Sequence, residues 1–265
     1  MISQRLHIFQ HNFSVFICSL MCLAVLFSGC QDKTETQGPL RIATAANMEY
    51  AMDSIAKLFT EETGIRCELV VNSSGMLTAQ IRQGAPFDVF VSADLKYPEA
   101  LHNDGLTLGP PKVYALGRLV LWSLKDNYTP SIQSLKSEEI KHLALANPRT
   151  APYGKAAEEV LQHYAVYDSL APKLVFGESI SQTNQFIVSG AADAGFTSLS
   201  VVMSPQMKGK GRWTTFEPVS HAPIMQGVVV LKREQVSDAA RKFDTFLFSE
   251  QVKPLLRDFG YSVDE

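Results

Sequence analysis

The chain has 265 residues, of which 46% are hydrophobic and 19% charged, a composition typical of globular rather than disordered proteins. A chain of this length folds around one hydrophobic core or divides into two lobes. Because 24 lysines and arginines stand against 27 aspartates and glutamates, giving a net charge of -3, no basic surface for nucleic acid is expected.

The first thirty residues are typical of a secretory leader. Arg5 gives the positive start, and residues 13–27 are apolar apart from two serines. Since about 20 apolar residues are needed to cross a bilayer, this shorter stretch predicts a signal peptide, residues 1–29. Phe-Ser-Gly-Cys at residues 27–30 resembles a bacterial lipobox, with phenylalanine where leucine is usual. It predicts lipid attachment at Cys30 and a periplasmic, membrane-anchored protein; ordinary secretion and an uncleaved anchor are the alternatives.

Cysteine usage indicates neither a disulfide nor a metal site in the mature chain. Removal of the leader leaves Cys30 and Cys67, and lipidation of the first leaves the second without a partner. Cys67 lies in an apolar run and is predicted to be a small buried residue. No Cys-x-x-Cys motif or Cys/His cluster occurs, and the histidines show no ligand spacing.

Residues 30–39 are polar and unpatterned, as a tether between lipid and domain should be. From Leu40 onward, short apolar runs alternate with segments of helical period. This alternation predicts α/β structure, with parallel sheets covered by crossover helices. The predicted strands are residues 40–45, 67–71, 88–92, 119–122, 142–146, 174–176, 194–197 and 225–231.

The predicted helices begin and end at recognisable residues. In the first helix, apolar residues from Met48 to Phe59 recur every three or four positions, with Asn47 as its expected N-cap and Gly64 at its end. The second, residues 76–82, follows Ser74. The other segments of helical period are residues 152–164, 181–190 and 237–259, the last with a break expected at Pro254.

Four strand-to-helix turns carry small, hydroxylic or amide side chains and few charges. These turns are residues 45–47, 72–75, 150–154 and 178–181. Ligands of open α/β sheets collect beyond the carboxyl ends of the strands, where helix N-termini present free N–H groups with partial positive charge. Converging helix ends could hold an oxyanion without a salt bridge. The alternative is that these residues only cap helices.

Several long motifs resemble one family. Residues 40–47, Asn-Ser-Ser-Gly at 72–75 and Gly-Ala-Pro-Phe-Asp-Val-Phe-Val-Ser-Ala-Asp at 84–94 are similar to the molybdate-binding periplasmic proteins of ABC transporters. Residues 147–159 and 195–200 are similar to the same family. The resemblance covers residues 40–261 and keeps the motifs in the family's order.

The resemblance implies a type II periplasmic-binding-protein fold. Its two α/β lobes each contain a mostly parallel sheet flanked by helices, and two crossovers form the hinge. One lobe would comprise residues 40–114 and 223–265, and the other residues 115–222. The chain would be a monomer.

The resemblance also implies which residues bind the ligand. Asn47 and Ser74 would donate hydrogen bonds from side chain and backbone, and Tyr153 and Ile180 from backbone N–H groups. Ser198 stands where some members place a ligand-binding tyrosine, so it either replaces that contact or leaves it absent. Molybdate is a dianion without protons at neutral pH, so its site needs donors and no carboxylate.

The implied function is the capture of molybdate, and of tungstate, by an extracytoplasmic binding protein. The molybdenum would be bound only as its oxyanion, through Asn47, Ser74, Tyr153 and Ile180. The ligand would pass to a membrane permease driven by a cytoplasmic ATPase, without a cofactor and without catalysis. Three alternatives stay open: a binding protein for sulfate or another oxyanion, an enzyme on the same scaffold, and a purely structural lipoprotein.

Other candidate residues are better explained by structural roles. Arg149 could clamp an anion but is expected to be solvated, and the basic residues 208–212 are expected to form an exposed turn. Asp88 and Asp94 flank a strand, where an N-cap and a strand start explain them better than acid–base chemistry. A nucleophilic Ser74 lacks the Gly-x-Ser-x-Gly elbow.

Overall fold

The computed structural model describes residues 38–234 and 238–263. The leader, Cys30 and most of the predicted tether lie outside these residues. Within them, no helix combines the length and the apolar character that a membrane span requires.

Two five-stranded sheets organise the described part of the chain. Their strands are β1 (Leu40–Ala45), β2 (Cys67–Asn72), β3 (Val89–Ser92), β4 (Lys112–Gly117), β5 (Leu119–Ser123), β6 (Leu143–Ala146), β7 (Leu174–Gly177), β8 (Ala194–Ser198), β9 (Arg212–Thr215) and β10 (Ile224–Val230). The first sheet has the order β2-β1-β3-β10-β4 and the second the order β7-β6-β8-β5-β9.

Both sheets follow one plan. In the first, β1 pairs in parallel with β2 and β3, while β10 runs antiparallel to β3 and β4. In the second, β6 pairs in parallel with β7 and β8, while β5 runs antiparallel to β8 and β9. The predicted two-lobed α/β fold with mostly parallel sheets is confirmed.

Helices connect these strands and cover the sheets. They are α1 (Glu49–Thr63), α2 (Ser74–Arg82), α3 (Lys96–Asn103), α4 (Pro152–His163), α5 (Tyr167–Leu170), α6 (Ile180–Val188), α7 (Leu199–Met203), α8 (Asp238–Leu247) and α9 (Val252–Asp258). Short 3-10 turns occur at Ala46–Met48, Ser134–Lys136, Ala171–Lys173 and Pro218–Ser220. The chain passes from the first sheet to the second at Arg118, between β4 and β5, and returns between β9 and β10.

All eight predicted strands occur, with bounds that differ by at most one residue at each end. The sequence patterns missed β4 and β9, each at the edge of its sheet. β9 is largely exposed and has no continuous apolar run, so it lacks the signature of a buried strand. β4 does contain an apolar run, residues 113–116, although only Tyr114 and Ala115 of it are buried.

Two details of the predicted helices are wrong. Asn47 is not an N-cap: it lies inside the 3-10 turn Ala46–Met48, and Met48 occupies the N-cap position of α1. The C-terminal helix breaks at residues 248–251, before Pro254 rather than at it. Pro254 sits in the first turn of α9, where a missing N–H removes no helical hydrogen bond. Gly64 ends α1 as predicted, with φ of 72°.

Each sheet has its own apolar packing, and one cluster lies where the two sheets meet. On the first sheet, Phe59 of α1 packs edge-on against Phe243 and Phe246 of α8, each at 5.2 Å between ring centroids. The junction cluster contains Ala46 and Tyr153. Cys67 is half-buried rather than fully buried, and burial raises the pKa of its thiol to about 11.

Candidate oxyanion site

The four predicted ligand-binding residues all lie in the first turn of a helical segment. Asn47 is in the 3-10 turn that leads into α1, Ser74 and Ile180 open α2 and α6, and Tyr153 is the second residue of α4. Each is at most 3% exposed. We call these four residues the donor cluster. Their segments follow the carboxyl ends of β1, β2, β6 and β7, where unpaired N–H groups and helix dipoles favour an anion.

Contacts between the sheets bring these four helix starts together. The Gly75 N–H donates to the Thr150 carbonyl at 2.9 Å, which joins the start of α2 to the loop before α4. Ser181 Oγ donates to Glu49 Oε2 at 2.6 Å, which joins α6 to α1. Helix α6 also packs against the turn that contains Asn47. The donor cluster therefore lies along one buried junction.

Ser74 keeps a hydrogen-bond donor for a ligand. Its Oγ accepts the Ala93 N–H at 3.0 Å, which fixes the side chain against the end of β3. A hydroxyl that accepts one bond still has its own hydrogen to donate. Because Ser74 is the first residue of α2, its backbone N–H also lies among the unpaired groups of the helix start.

Asn47 uses its side chain within the protein. Its Nδ2 donates to Gln226 Oε1 at 2.8 Å and to the Tyr261 hydroxyl at 2.9 Å, which occupies both amide hydrogens. Its carbonyl accepts a bond from Ser200 Oγ at 2.6 Å. In this arrangement the backbone N–H, and not the expected side-chain donor, is the group that Asn47 can offer to a ligand.

Tyr153 and Ser198 contact each other. Ser198 Oγ donates to the Tyr153 hydroxyl at 3.2 Å and lies 2.6 Å from Ser200 Oγ. Ser198 also caps α7 by accepting the Ser200 N–H. The structure thus places the side chain of Ser198 against the Tyr153 ring, while the backbone of Tyr153 stays at the start of α4.

The tyrosines of this region are neutral at physiological pH. Burial raises the pKa of Tyr153 well above its ordinary value of 10 and that of Tyr261 to about 12. A protonated hydroxyl donates one hydrogen bond and carries no charge, so neither ring repels an anion.

Three residues of this network were missed at the level of sequence. Gln226 is fully buried in β10, where its Nε2 donates to the carbonyls of Ala93 and Ile224. It is the polar residue inside an otherwise apolar strand, a signal that could have identified it. Ser200 and Tyr261 show no comparable pattern, because only the fold brings them beside Asn47.

The carboxylates near the site have structural partners. Asp94 Oδ1 accepts from the Tyr97 N–H at 3.3 Å at the start of α3, and burial raises the pKa of this carboxyl. Asp88 accepts from the Arg41 N–H and from Arg233. In the described ranges, no group of three or more His, Cys, Asp or Glu residues could hold a metal ion.

Charged residues gather outside the buried junction. A groove of about 570 Å³, which we call the outer groove, contains Lys96, Arg149 and Lys155, with Tyr167 and Phe176 beside them. The three cationic residues are exposed, in agreement with the expected solvation of Arg149. The Tyr97 hydroxyl donates to the Arg149 carbonyl at 2.9 Å, so the outer groove borders the junction.

Comparison with known proteins identifies the family. A profile of the bacterial extracellular solute-binding proteins matches residues 40–262. The molybdate-binding protein ModA of Rhodobacter capsulatus is 37% identical over 84% of this chain and 88% of its own length. That of Azotobacter vinelandii is 36% identical over 84% and 90%. The structure of the Azotobacter vinelandii periplasmic molybdate-binding protein superposes with a TM-score of 0.81, at 33% identity, over 85% of this chain and all of that one. The chain therefore belongs to the bacterial extracellular solute-binding proteins and, within them, to the ModA family.

Proposed function

We propose that this protein binds molybdate, and tungstate, at the donor cluster and delivers it to a membrane transporter. The observation that carries the proposal is the convergence of four buried residues at helix starts, none of which bears an ionised side chain. The relatives from Rhodobacter capsulatus and Azotobacter vinelandii, which are named for molybdate binding, support the choice of ligand.

The chemistry of the cluster suits a fully deprotonated oxyanion. A dianion offers only acceptors, and helix starts offer only donors, so every contact can be a hydrogen bond in the favourable direction. A buried carboxylate would repel the ligand, and the donor cluster contains none. Sulfate has the same charge and the same four oxygens, so we expect cavity size to discriminate between the two ions.

Ligand capture would proceed by closure of two lobes around the junction. We place the first crossover at Arg118 rather than at residue 115, because β4 stays in the first sheet as far as Gly117. The second crossover lies near Pro223, between β9 and β10. Asn47 and Ser74 then belong to one lobe, and Tyr153, Ile180 and Ser198 to the other. Ligand binding shifts the population toward the closed form.

The family and the leader sequence support a proposal for the partners and the location. We infer a monomer that works outside the cytoplasm, anchored through a lipid on Cys30, and that passes its ligand to a permease with a cytoplasmic ATPase. In this proposal, the protein is not an enzyme and needs no cofactor. Mass spectrometry of the purified protein tests the anchor: Cys30→Ser should abolish the lipid mass, and unchanged processing would contradict it.

Titration calorimetry with several oxyanions tests the ligand. We expect molybdate and tungstate to bind with at least ~100-fold higher affinity than sulfate and phosphate, a difference of about 2.7 kcal/mol. They should also raise the melting temperature, since a ligand that binds only the folded state stabilises it. Equal affinity for sulfate would overturn the assignment. The absence of any response would support a structural lipoprotein, and turnover of a ligand would support an enzyme.

A further inference from the structure

We propose that Tyr261, carried by the C-terminal segment Gly260–Ser262, is a positioning residue of the oxyanion site. It would hold Asn47 in its ligand-binding position and favour the closed arrangement through Ser200. The proposal rests on the proposed function, because its effect is measured as affinity for the oxyanion.

The Tyr261 hydroxyl lies at the centre of a hydrogen-bond network. It accepts from Asn47 Nδ2 at 2.9 Å and lies 3.0 Å from both the Asn47 carbonyl and Ser200 Oγ, to either of which it can donate. Ser200 Oγ in turn donates to the same Asn47 carbonyl at 2.6 Å. Asn47 is therefore held at its amide and at its carbonyl, which leaves its backbone little freedom to turn its N–H away from a ligand.

The network joins the two sheets. Asn47 follows β1 of the first sheet, while Ser200 lies in α7, directly after β8 of the second. The bond between Tyr261 and Ser200 can form only when these two parts are together. We therefore expect it to stabilise the closed form selectively, whereas the bond between Tyr261 and Asn47 stays within one lobe.

The C-terminal segment is fastened at the crossover itself. Leu116 and Ser262 exchange two backbone hydrogen bonds, 2.7 Å and 3.0 Å long, next to the point where the chain leaves the first sheet. Gly260 has φ of +81°, and a Cβ there would lie 2.7 Å from the Leu199 side chain of α7. Glycine thus allows the segment to pack closely against the second lobe. The segment contacts both lobes beside the hinge, so the hydrogen bonds of Tyr261 depend on whether the lobes are closed.

Tyr114 provides a matched control. It is another buried tyrosine, in β4, and it packs in the same apolar cluster as Tyr261. Its hydroxyl has no hydrogen-bond partner among the described residues, whereas that of Tyr261 has several. Replacing each by phenylalanine removes one buried hydroxyl from the same region, and only one of the two changes cuts the network.

The experiment measures molybdate affinity by calorimetry and the melting temperature without ligand, for the full-length wild type, Tyr261→Phe and Tyr114→Phe. We expect Tyr261→Phe to weaken molybdate binding about tenfold, as the loss of a buried hydrogen bond predicts. Tyr114→Phe should keep wild-type affinity. Small-angle X-ray scattering should show a smaller molybdate-induced compaction for Tyr261→Phe at a fixed subsaturating concentration.

Two results would overturn the proposal: wild-type affinity in Tyr261→Phe, or an equal loss in Tyr114→Phe, which would show that any buried hydroxyl matters. If Tyr261→Phe does not fold, Ser200→Ala removes the contact from the other lobe, and wild-type affinity there would equally overturn it. The wild type separates this proposal from the proposed function, because a wild type that does not bind molybdate refutes the function first.

Discussion

The donor cluster and the outer groove are neighbouring regions of the molecule that differ in burial and in charge. The donor cluster is buried and offers neutral hydrogen-bond donors, whereas the outer groove carries three exposed cationic side chains and one carboxylate, that of Glu158, which pairs with Lys155 at 2.7 Å. Arg149 of the outer groove precedes Thr150, whose carbonyl accepts the N–H of Gly75 beside Ser74 at 2.9 Å.

Neutral hydrogen-bond donors and cations suit different positions relative to an anionic ligand. A cation buried beside the ligand would lose its hydration and form a tight ion pair, so that release would be slow. Neutral N–H and O–H groups hold the anion without that penalty. An exposed cation stays hydrated and acts at a distance, on the approach of the ligand. Under the proposed function, we expect the donor cluster to determine the affinity for the ligand and the outer groove to determine the association rate.

The largest expected effect comes from placing a negative charge in the donor cluster. Ser74→Asp would bring a carboxylate next to the dianion, in a site where burial weakens the screening by water. We expect molybdate binding to fall by at least ~1000-fold, more than about 4 kcal/mol. Calorimetry measures the loss.

Ala79→Asp is the control for that substitution. It adds the same charge to the exposed face of the same helix. This variant should bind within about threefold of wild type, since exposed charges are screened by water and salt. Normal affinity in a folded Ser74→Asp protein would remove Ser74 from the site.

A second prediction concerns the closure of the junction. A Cβ on Gly75 would lie 2.9 Å from the backbone of Thr150 in the other lobe, so Gly75→Ala should hold the two lobes apart. It would also lie 2.8 Å from the Tyr97 hydroxyl, the far end of a side chain in the same lobe, which can move aside. Overpacking of this kind costs about 1–3 kcal/mol, which predicts a loss of affinity of about 5- to 150-fold.

The melting temperature of ligand-free Gly75→Ala should stay close to wild type, because an open form can accommodate the methyl group. Molybdate-induced compaction in small-angle scattering should decrease. Gly109→Ala, where nothing lies within 4 Å, is the matched control and should behave as wild type. A Gly75→Ala protein that binds and compacts normally would show that this contact does not limit closure.

The fold was predictable from sequence because its central strands are continuous apolar runs bounded by turns. Strands β1 and β3 are almost wholly buried, and such strands have the clearest pattern. The edge strand β9 was not predictable, since its sequence Arg-Trp-Thr-Thr has no continuous apolar run. The edge strand β4 was missed although its residues 113–116 are apolar, whereas the edge strands β2 and β7 were found from runs of the same kind. The prediction that Asn47 is an N-cap was wrong because a 3-10 turn precedes α1. Residue propensity alone does not distinguish an N-cap from a residue inside such a turn.

The candidate site was predictable only in part, because sequence patterns report neighbours along the chain and not contacts between distant residues. Ser74, Tyr153 and Ile180 follow strands, so chain-local patterns mark them as helix starts. Tyr261 is 214 residues from Asn47, and their contact depends on two sheets and a C-terminal segment that must first be in place. A contact between residues so far apart in the chain leaves no periodic pattern in the sequence. Long-range hydrogen bonds of this kind are visible only in the structure.

A smaller effect is expected from the outer groove. Arg149→Gln should lower the association rate of molybdate about two- to threefold at low ionic strength, because one steering charge is lost. The dissociation rate should not change. The difference should disappear at about 0.5 M salt, where the Debye length is only a few Å. Stopped-flow fluorescence measures both rates.

Lys57→Gln is the control for Arg149→Gln. Lys57 is exposed on α1, pairs with Asp53 at 2.9 Å and lies outside the outer groove. Lys57→Gln changes the net charge by the same amount as Arg149→Gln and should leave the association rate of molybdate unchanged. An equal effect of the two variants would assign the steering to net charge, and a faster dissociation in Arg149→Gln would place Arg149 in direct contact with the ligand.

The smallest expected effect is that of pH on affinity. Because burial raises the pKa of Tyr153 well above 10 and that of Tyr261 to about 12, both hydroxyls stay protonated and can donate throughout the neutral range. Calorimetry should therefore find molybdate affinity constant within about twofold from pH 6.5 to 9. Stability behaves differently at higher pH. The folded chain holds the Tyr261 proton more tightly than the unfolded chain does, so the stability that Tyr261 contributes should be constant below pH 10 and be lost between about pH 10 and 12. Tyr261→Phe should lose that part of the decrease. A steep change of affinity near neutrality would instead require a titrating group at the ligand, and would contradict a neutral donor cluster.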